Sequence, residues 1–132
     1  MTCPEHGGGS PTAPLILIIE DDTHISMAVR ICLEKAGFRV ATALDGVDGL
    51  EQAFSLRPSL ILLDLLLPKL DGHMVLKALR QDERTSSIPV VVLSAVADPA
   101  EREAALEEGA ADYIVKPFTP QELLSVVRRE LP

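Results

Sequence analysis

The stretch LILLDLLLPKLDG, Leu60 to Gly72, places a single carboxylate, Asp64, after four aliphatic residues and before three more. An unpaired carboxylate in an apolar interior costs several kcal/mol and tends to raise its pKa until it is neutral. Either the run leaves the interior at Asp64 or a cation meets it there.

LILL is a short continuous apolar run, and others like it punctuate the chain: LILII (15–19), RVATA (39–43), VVVL (90–93) and YIV (113–115). Between them apolar residues recur at helical spacing. They are Ile25, Ala28, Val29, Cys32 and Ala36; Val47, Leu50 and Phe54; Val75, Leu76 and Leu79; Ala100, Ala104 and Ala105; and Leu123, Val126 and Val127. Gly37 and Gly109 stand where the first and fourth helices should close, and Pro120 where the last should open. Continuously apolar strands are covered on both faces, as in a parallel sheet with right-handed crossover helices on either side. The pattern predicts an α/β domain, a doubly wound five-stranded parallel sheet with five helices.

Residues 1–14, MTCPEHGGGSPTAP, cannot bury enough to order themselves, so a disordered tail (1–14) is expected before a single domain over 15–132. Cys3 and His6 could form half a metal site, but no second pair follows, and the tail is read as flexible. No disulfide framework is expected, since Cys32 lies on an apolar face and Cys3 in the tail. A net charge of −8, three Phe, one Tyr and no Trp argue against direct nucleic-acid binding. No apolar run reaches the roughly 18–20 residues that span a bilayer, so no membrane association and a cytoplasmic location are expected.

In a doubly wound sheet, ligands bind beyond the carboxyl ends of the strands. LILII runs into Glu20, Asp21 and Asp22, LILL into Asp64, VVVL into Ser94, and YIV into Lys116 and Pro117. Acids, a hydroxyl and an amine therefore collect at one edge. Clustered carboxylates call for a cation, and carboxylates, a carbonyl and waters are the ligands Mg²⁺ prefers. With one Lys opposite, the cluster suits a divalent ion and a phosphoryl group together. Each acid alone could be a helix cap, and Asp22 is best read as the cap of the first helix. His24 and His73 are expected to be solvated, with nothing pairing them as ligands.

Four segments, ILIIEDD, LLDLLLPKLDG, VVLSA and DYIVKPF, resemble in order and spacing the receiver domain of two-component response regulators, over Leu15 to about Leu131. The resemblance implies the CheY-like (flavodoxin-like) strand order 2-1-3-4-5. It makes Asp64 the phosphoacceptor, with Asp21, Asp64 and the backbone carbonyl of Leu66 binding Mg²⁺ directly and Glu20 through water. Ser94 becomes the hydroxyl that meets the phosphoryl oxygen, Lys116 the amine that contacts phosphate and acceptor, and Tyr113 the aromatic that moves inward on activation. The family usually has the bond equivalent to Lys116–Pro117 in cis.

The resemblance further implies a phosphoryl donor, either a histidine kinase or a histidine phosphotransfer protein. It implies a downstream protein or output domain met by the face of the fourth helix, fifth strand and fifth helix, here about 98–108, 112–115 and 120–131. A homodimer formed on phosphorylation is among the expected partners. The chain would be a signalling domain catalysing only its own phosphorylation and a slow dephosphorylation, because apolar Leu66 and Val96 stand where several relatives carry polar groups. Ending at Pro132, it would be a stand-alone receiver or one domain of a longer regulator.

Three other classes fit less well. An interaction module that never takes phosphate should have lost Asp64, Asp21 or Lys116. A haloacid-dehalogenase-like phosphohydrolase needs a second Asp where Leu66 stands, and a dinucleotide binder needs glycines where the first strand meets acids.

Overall fold

A computed structural model describes residues 12–67 and 70–132. Residues 1–11, which include Cys3 and His6, lie outside it, as do Pro68, where the loop after Asp64 is expected to turn, and Lys69. Five strands alternate with five helices: β1 (Leu15–Ile19), α1 (Thr23–Lys35), β2 (Arg39–Ala43), α2 (Gly46–Leu56), β3 (Leu60–Asp64), α3 (Gly72–Gln81), β4 (Val90–Ser94), α4 (Pro99–Glu107), β5 (Asp112–Val115) and α5 (Pro120–Glu130). All pairings are parallel and the order is β2-β1-β3-β4-β5, as the resemblance implied.

Alternate residues of each strand point to opposite faces, and two separate cores follow. Leu17, Ile19, Ile61, Leu63, Val90 and Val92 pack on one face with Val75, Leu76, Leu79 and Ala105 of α3 and α4. Ile16, Ile18, Leu60, Leu62, Val91 and Leu93 pack on the other with Val29 and Leu33 of α1 and Leu123 and Val127 of α5. The central strands β1, β3 and β4 are thus enclosed on both sides, which explains their unbroken apolar runs.

Caps sit close to where the sequence puts them. Gly37 and Gly109 take φ of 98° and 111° beyond α1 and α4, and Pro120 stands in the first turn of α5. At the tail end of the expected boundary, the carbonyls of Ala13 and Pro14 accept from Arg39 Nε and N, so these two residues are tied to β2.

The helix face expected for α2 needs correction. Val47 is exposed and Leu50 and Phe54 are only half-buried, while Gly46, Gly49 and Ala53 are buried. A Cβ on Gly49 would lie 2.7 Å from Ile19 Cδ1. The helix comes so close to β1 that only its smallest residues fit between, and the bulkier apolar side chains move to the flanks. Similarly, Ala28 and Ala100, expected inside, are exposed.

Candidate functional site

Strand register lines up the chemistry. Ile19 pairs with Leu63, so Glu20 comes level with Asp64; Asp64 pairs with Leu93, so Ser94 follows one residue on; Ser94 pairs with Val115, so Lys116 follows in turn. Asp64 is itself the last residue of β3 and only 4% exposed, so the strand continues through the charge instead of ending before it.

The cation is there. Lys116 Nζ donates to Glu20 Oε1 at 2.7 Å and to Asp64 Oδ2 at 3.3 Å. The remaining oxygens are met by backbone: Leu66 N donates to Asp64 Oδ1 (3.0 Å) and Asp22 N to Glu20 Oε2 (3.1 Å). Burial works against the Lys116 charge, but Glu20 and Asp64 outweigh it and the amine's pKa is raised. Burial pushes the Glu20 carboxyl up to about 7, against the pull of Lys116.

Asp21 is exposed beside its two buried neighbours, and Glu20, Asp21 and Asp64 each present an oxygen within 4.8 Å of the others. Three hard oxygen donors at that spacing suit a small divalent cation. The positive charge of Lys116 does not offset all three carboxylates, and this is the physical ground for a cation at the cluster. Asp22 does not join them: its side chain caps α1, accepting from His24 N and Ile25 N.

Ser94 is 1% exposed, and its Oγ accepts from Val96 N at 3.1 Å. Tyr113, 4% exposed, donates its hydroxyl to Val96 O at 2.8 Å. The backbone of Val96 thus touches both Ser94, through its N–H, and Tyr113, through its carbonyl, the two residues expected to act as the switch. The Lys116–Pro117 bond is cis. Leu66 and Val96 are 65% and 37% exposed.

The expectation for His73 fails. Its Nδ1 lies 2.6 Å from Glu108 Oε1 and its Nε2 lies 2.9 Å from Glu101 Oε1, while His24 is fully exposed.

The model of the response regulator receiver domain matches residues 16–128. The chain belongs to the response-regulator receiver family. It is 49% identical over 115 residues to the DNA-binding dual master transcriptional regulator RpaA of Synechocystis sp., a match covering 87% of this chain and 48% of that protein. The receiver therefore spans about half the length of the curated relatives it matches. That name attributes DNA binding to the relative, so the expectation of no direct nucleic-acid contact is not supported for proteins of that length.

Among solved structures, the chemotaxis response regulator CheY4 of Vibrio cholerae superposes with a TM-score of 0.87 at 31% identity, covering 91% of this receiver and 100% of that chain. The receiver domain of the sensor histidine kinase PA1611 from Pseudomonas aeruginosa, solved with magnesium coordinated in its active-site cleft, gives 0.83 at 32% identity, covering 90% and 98%. The fold is CheY-like and the acidic pocket fits a phosphoacceptor site. No helix among the described residues is long and apolar enough to cross a membrane.

Proposed function

We propose that Asp64 accepts a phosphoryl group from a phosphohistidine on a histidine kinase or phosphotransfer protein. An Asp64 Oδ–phosphorus bond forms as the donor's P–N bond breaks, and the electron pair leaves with the imidazole. The single observation that carries this is the convergence of Asp64 Oδ2 and Glu20 Oε1, both on buried side chains, on Lys116 Nζ.

An aspartate is a weak nucleophile, so positioning and charge neutralisation must do most of the work. The Leu66 N–H holds one oxygen of the nucleophile and Lys116 the other. Lys116 can follow the charge as it moves onto the phosphoryl oxygens. The Ser94 hydroxyl, whose oxygen accepts from Val96 N, keeps its O–H as a donor for one of them. Asp21, Asp64 and the Leu66 carbonyl, with Glu20 through water, would hold Mg²⁺, which would supply the further positive charge that the phosphoryl oxygens need.

Drawing the Ser94 hydroxyl toward phosphate pulls on Val96, and Val96 carries the Tyr113 hydroxyl bond. The pull passes to α4 and β5, whose face with α5 would meet the downstream partner, output domain or second phosphorylated copy. The role this gives the chain is that of a cytoplasmic signalling domain. Leu66 and Val96 give an attacking water no polar side chain to orient it, so the acyl phosphate should decay slowly.

Incubation with acetyl phosphate and Mg²⁺, followed by intact-mass measurement, tests the proposal. Wild type gains about one phosphoryl group, and Asp64→Asn gains none; no gain in wild type supports an interaction module that never takes phosphate. Following the same mass over time checks the decay, and a half-life of seconds would count against slow hydrolysis.

A further inference from the structure

Helix α4 is thinly attached. Of its residues only Ala105 is buried, whereas α3 buries Gly72, Val75, Leu76 and Leu79. The polar contact that reaches from α3 to α4 is made by His73, with Glu108 Oε1 2.6 Å from one ring nitrogen and Glu101 Oε1 2.9 Å from the other.

A neutral imidazole has one N–H, and its other nitrogen is an acceptor. Ionised carboxylates only accept. Two carboxylates at hydrogen-bond distance from both nitrogens are therefore satisfied together only by the imidazolium; the neutral ring leaves one pair of acceptors facing each other. We propose that His73 is a positioning residue, a proton-dependent clamp that holds α4 against α3 when charged and releases one of its two contacts when neutral.

The surroundings support this. Among the described residues, the charged groups about the ring are Glu101 and Glu108 from α4, and Asp71, Lys77 and Arg80 from α3 and its cap. Lys77 and Arg80 share with His73 and Glu108 a cavity of about 500 Å³, and Asp71 caps the helix by accepting from His73 N. A cation in the first turn of a helix opposes the helix dipole, so the α4 acids must supply what favours the charge. Burial lowers the ring's pKa, but the hydrogen bonds to Glu108 and Glu101 outweigh it and the value rises above the ordinary 6.5.

The sign follows. A histidine whose folded pKa is raised contributes its full stabilisation below the unfolded value and loses it as pH rises through the folded one. The clamp is closed below about 6.5 and opens on the alkaline side of the raised value. Its link to signalling rests on the assignment of α4 to the output face; the clamp itself does not.

The test needs no phosphorylation, so its failure is distinguishable from failure of the phosphoacceptor reading. Amide exchange of residues 99–108 is measured at about pH 6 and pH 8, as protection factors corrected for intrinsic chemistry, with the His73 ring titrated by NMR. In wild type the ring titrates above 6.5 and α4 protection falls roughly two- to fivefold between the two pH values, the scale of a partly exposed ion pair, while α3 does not change. In His73→Gln, and independently in Glu101→Gln/Glu108→Gln, that fall disappears, and in the latter the ring titrates lower than in wild type. Equal wild-type protection at both pH values, or a fall that survives in the variants, overturns the proposal.

Discussion

Helices α3 and α4 follow neighbouring strands, each strand ends on a residue of the acidic pocket, and each helix is capped by an aspartate, Asp71 or Asp98. There the likeness ends. Val75, Leu76 and Leu79 of α3 are fully buried, and Gly72 N donates to Leu65 O where a Cβ would lie 2.4 Å from Leu65 Cα. Helix α4 buries one alanine and is otherwise held by polar contacts: Glu101 and Glu108 to His73, and Arg102 to Asp112 at 3.7 Å.

Each helix suits a different task. Phosphoryl transfer needs the acceptor fixed to a fraction of an ångström, and α3 pins the loop that follows Asp64. Switching needs an element with two arrangements of similar free energy, and such elements come from the least-packed parts of a fold. A helix with one buried alanine meets that need.

Truncating one apolar residue on each helix should separate the two most widely. Leu79→Ala removes a fully buried side chain and is expected to cost about 2–5 kcal/mol, whereas Leu106→Ala on α4, 36% exposed, should cost under about 1 kcal/mol. Urea unfolding of both measures the difference, and similar costs would mean that α4 is as firmly packed as α3. A smaller effect is expected from Tyr113→Phe, which removes the hydroxyl bond to Val96 O at about 0.5–1.5 kcal/mol. The variant should still gain a phosphoryl group by mass, with faster amide exchange in the loop before α4; unchanged exchange there would remove Tyr113 from the link.

Most of the fold was legible because strand and helix periods are written in aliphatic residues. The acidic pocket was legible for the same reason: parallel strands deliver their last residues to one edge, so Glu20, Asp64, Ser94 and Lys116 had to meet once the strands were recognised. Three features escaped. The inner face of α2 is made of Gly46, Gly49 and Ala53, and a search for bulk selects Val47, Leu50 and Phe54 instead, since close approach leaves no apolar signal. The His73 contacts escaped because partners on different helices are set by how α3 and α4 lie on the sheet, and periodicity within either helix is silent on that. The Tyr113–Val96 bond is likewise a tertiary contact, between a side chain and a peptide unit seventeen residues away.

Chemistry at a rigid acceptor is expected to move a loosely held neighbour. Amide exchange of the phosphorylated protein against Asp64→Asn, treated identically, tests it most directly. Protection is predicted to change across 95–115, covering the β4–α4 loop, α4 and β5, while α3 and the strands β1 and β3 stay as they were. Equal changes in α3 and α4, or none in either despite a full phosphoryl gain by mass, would contradict the account.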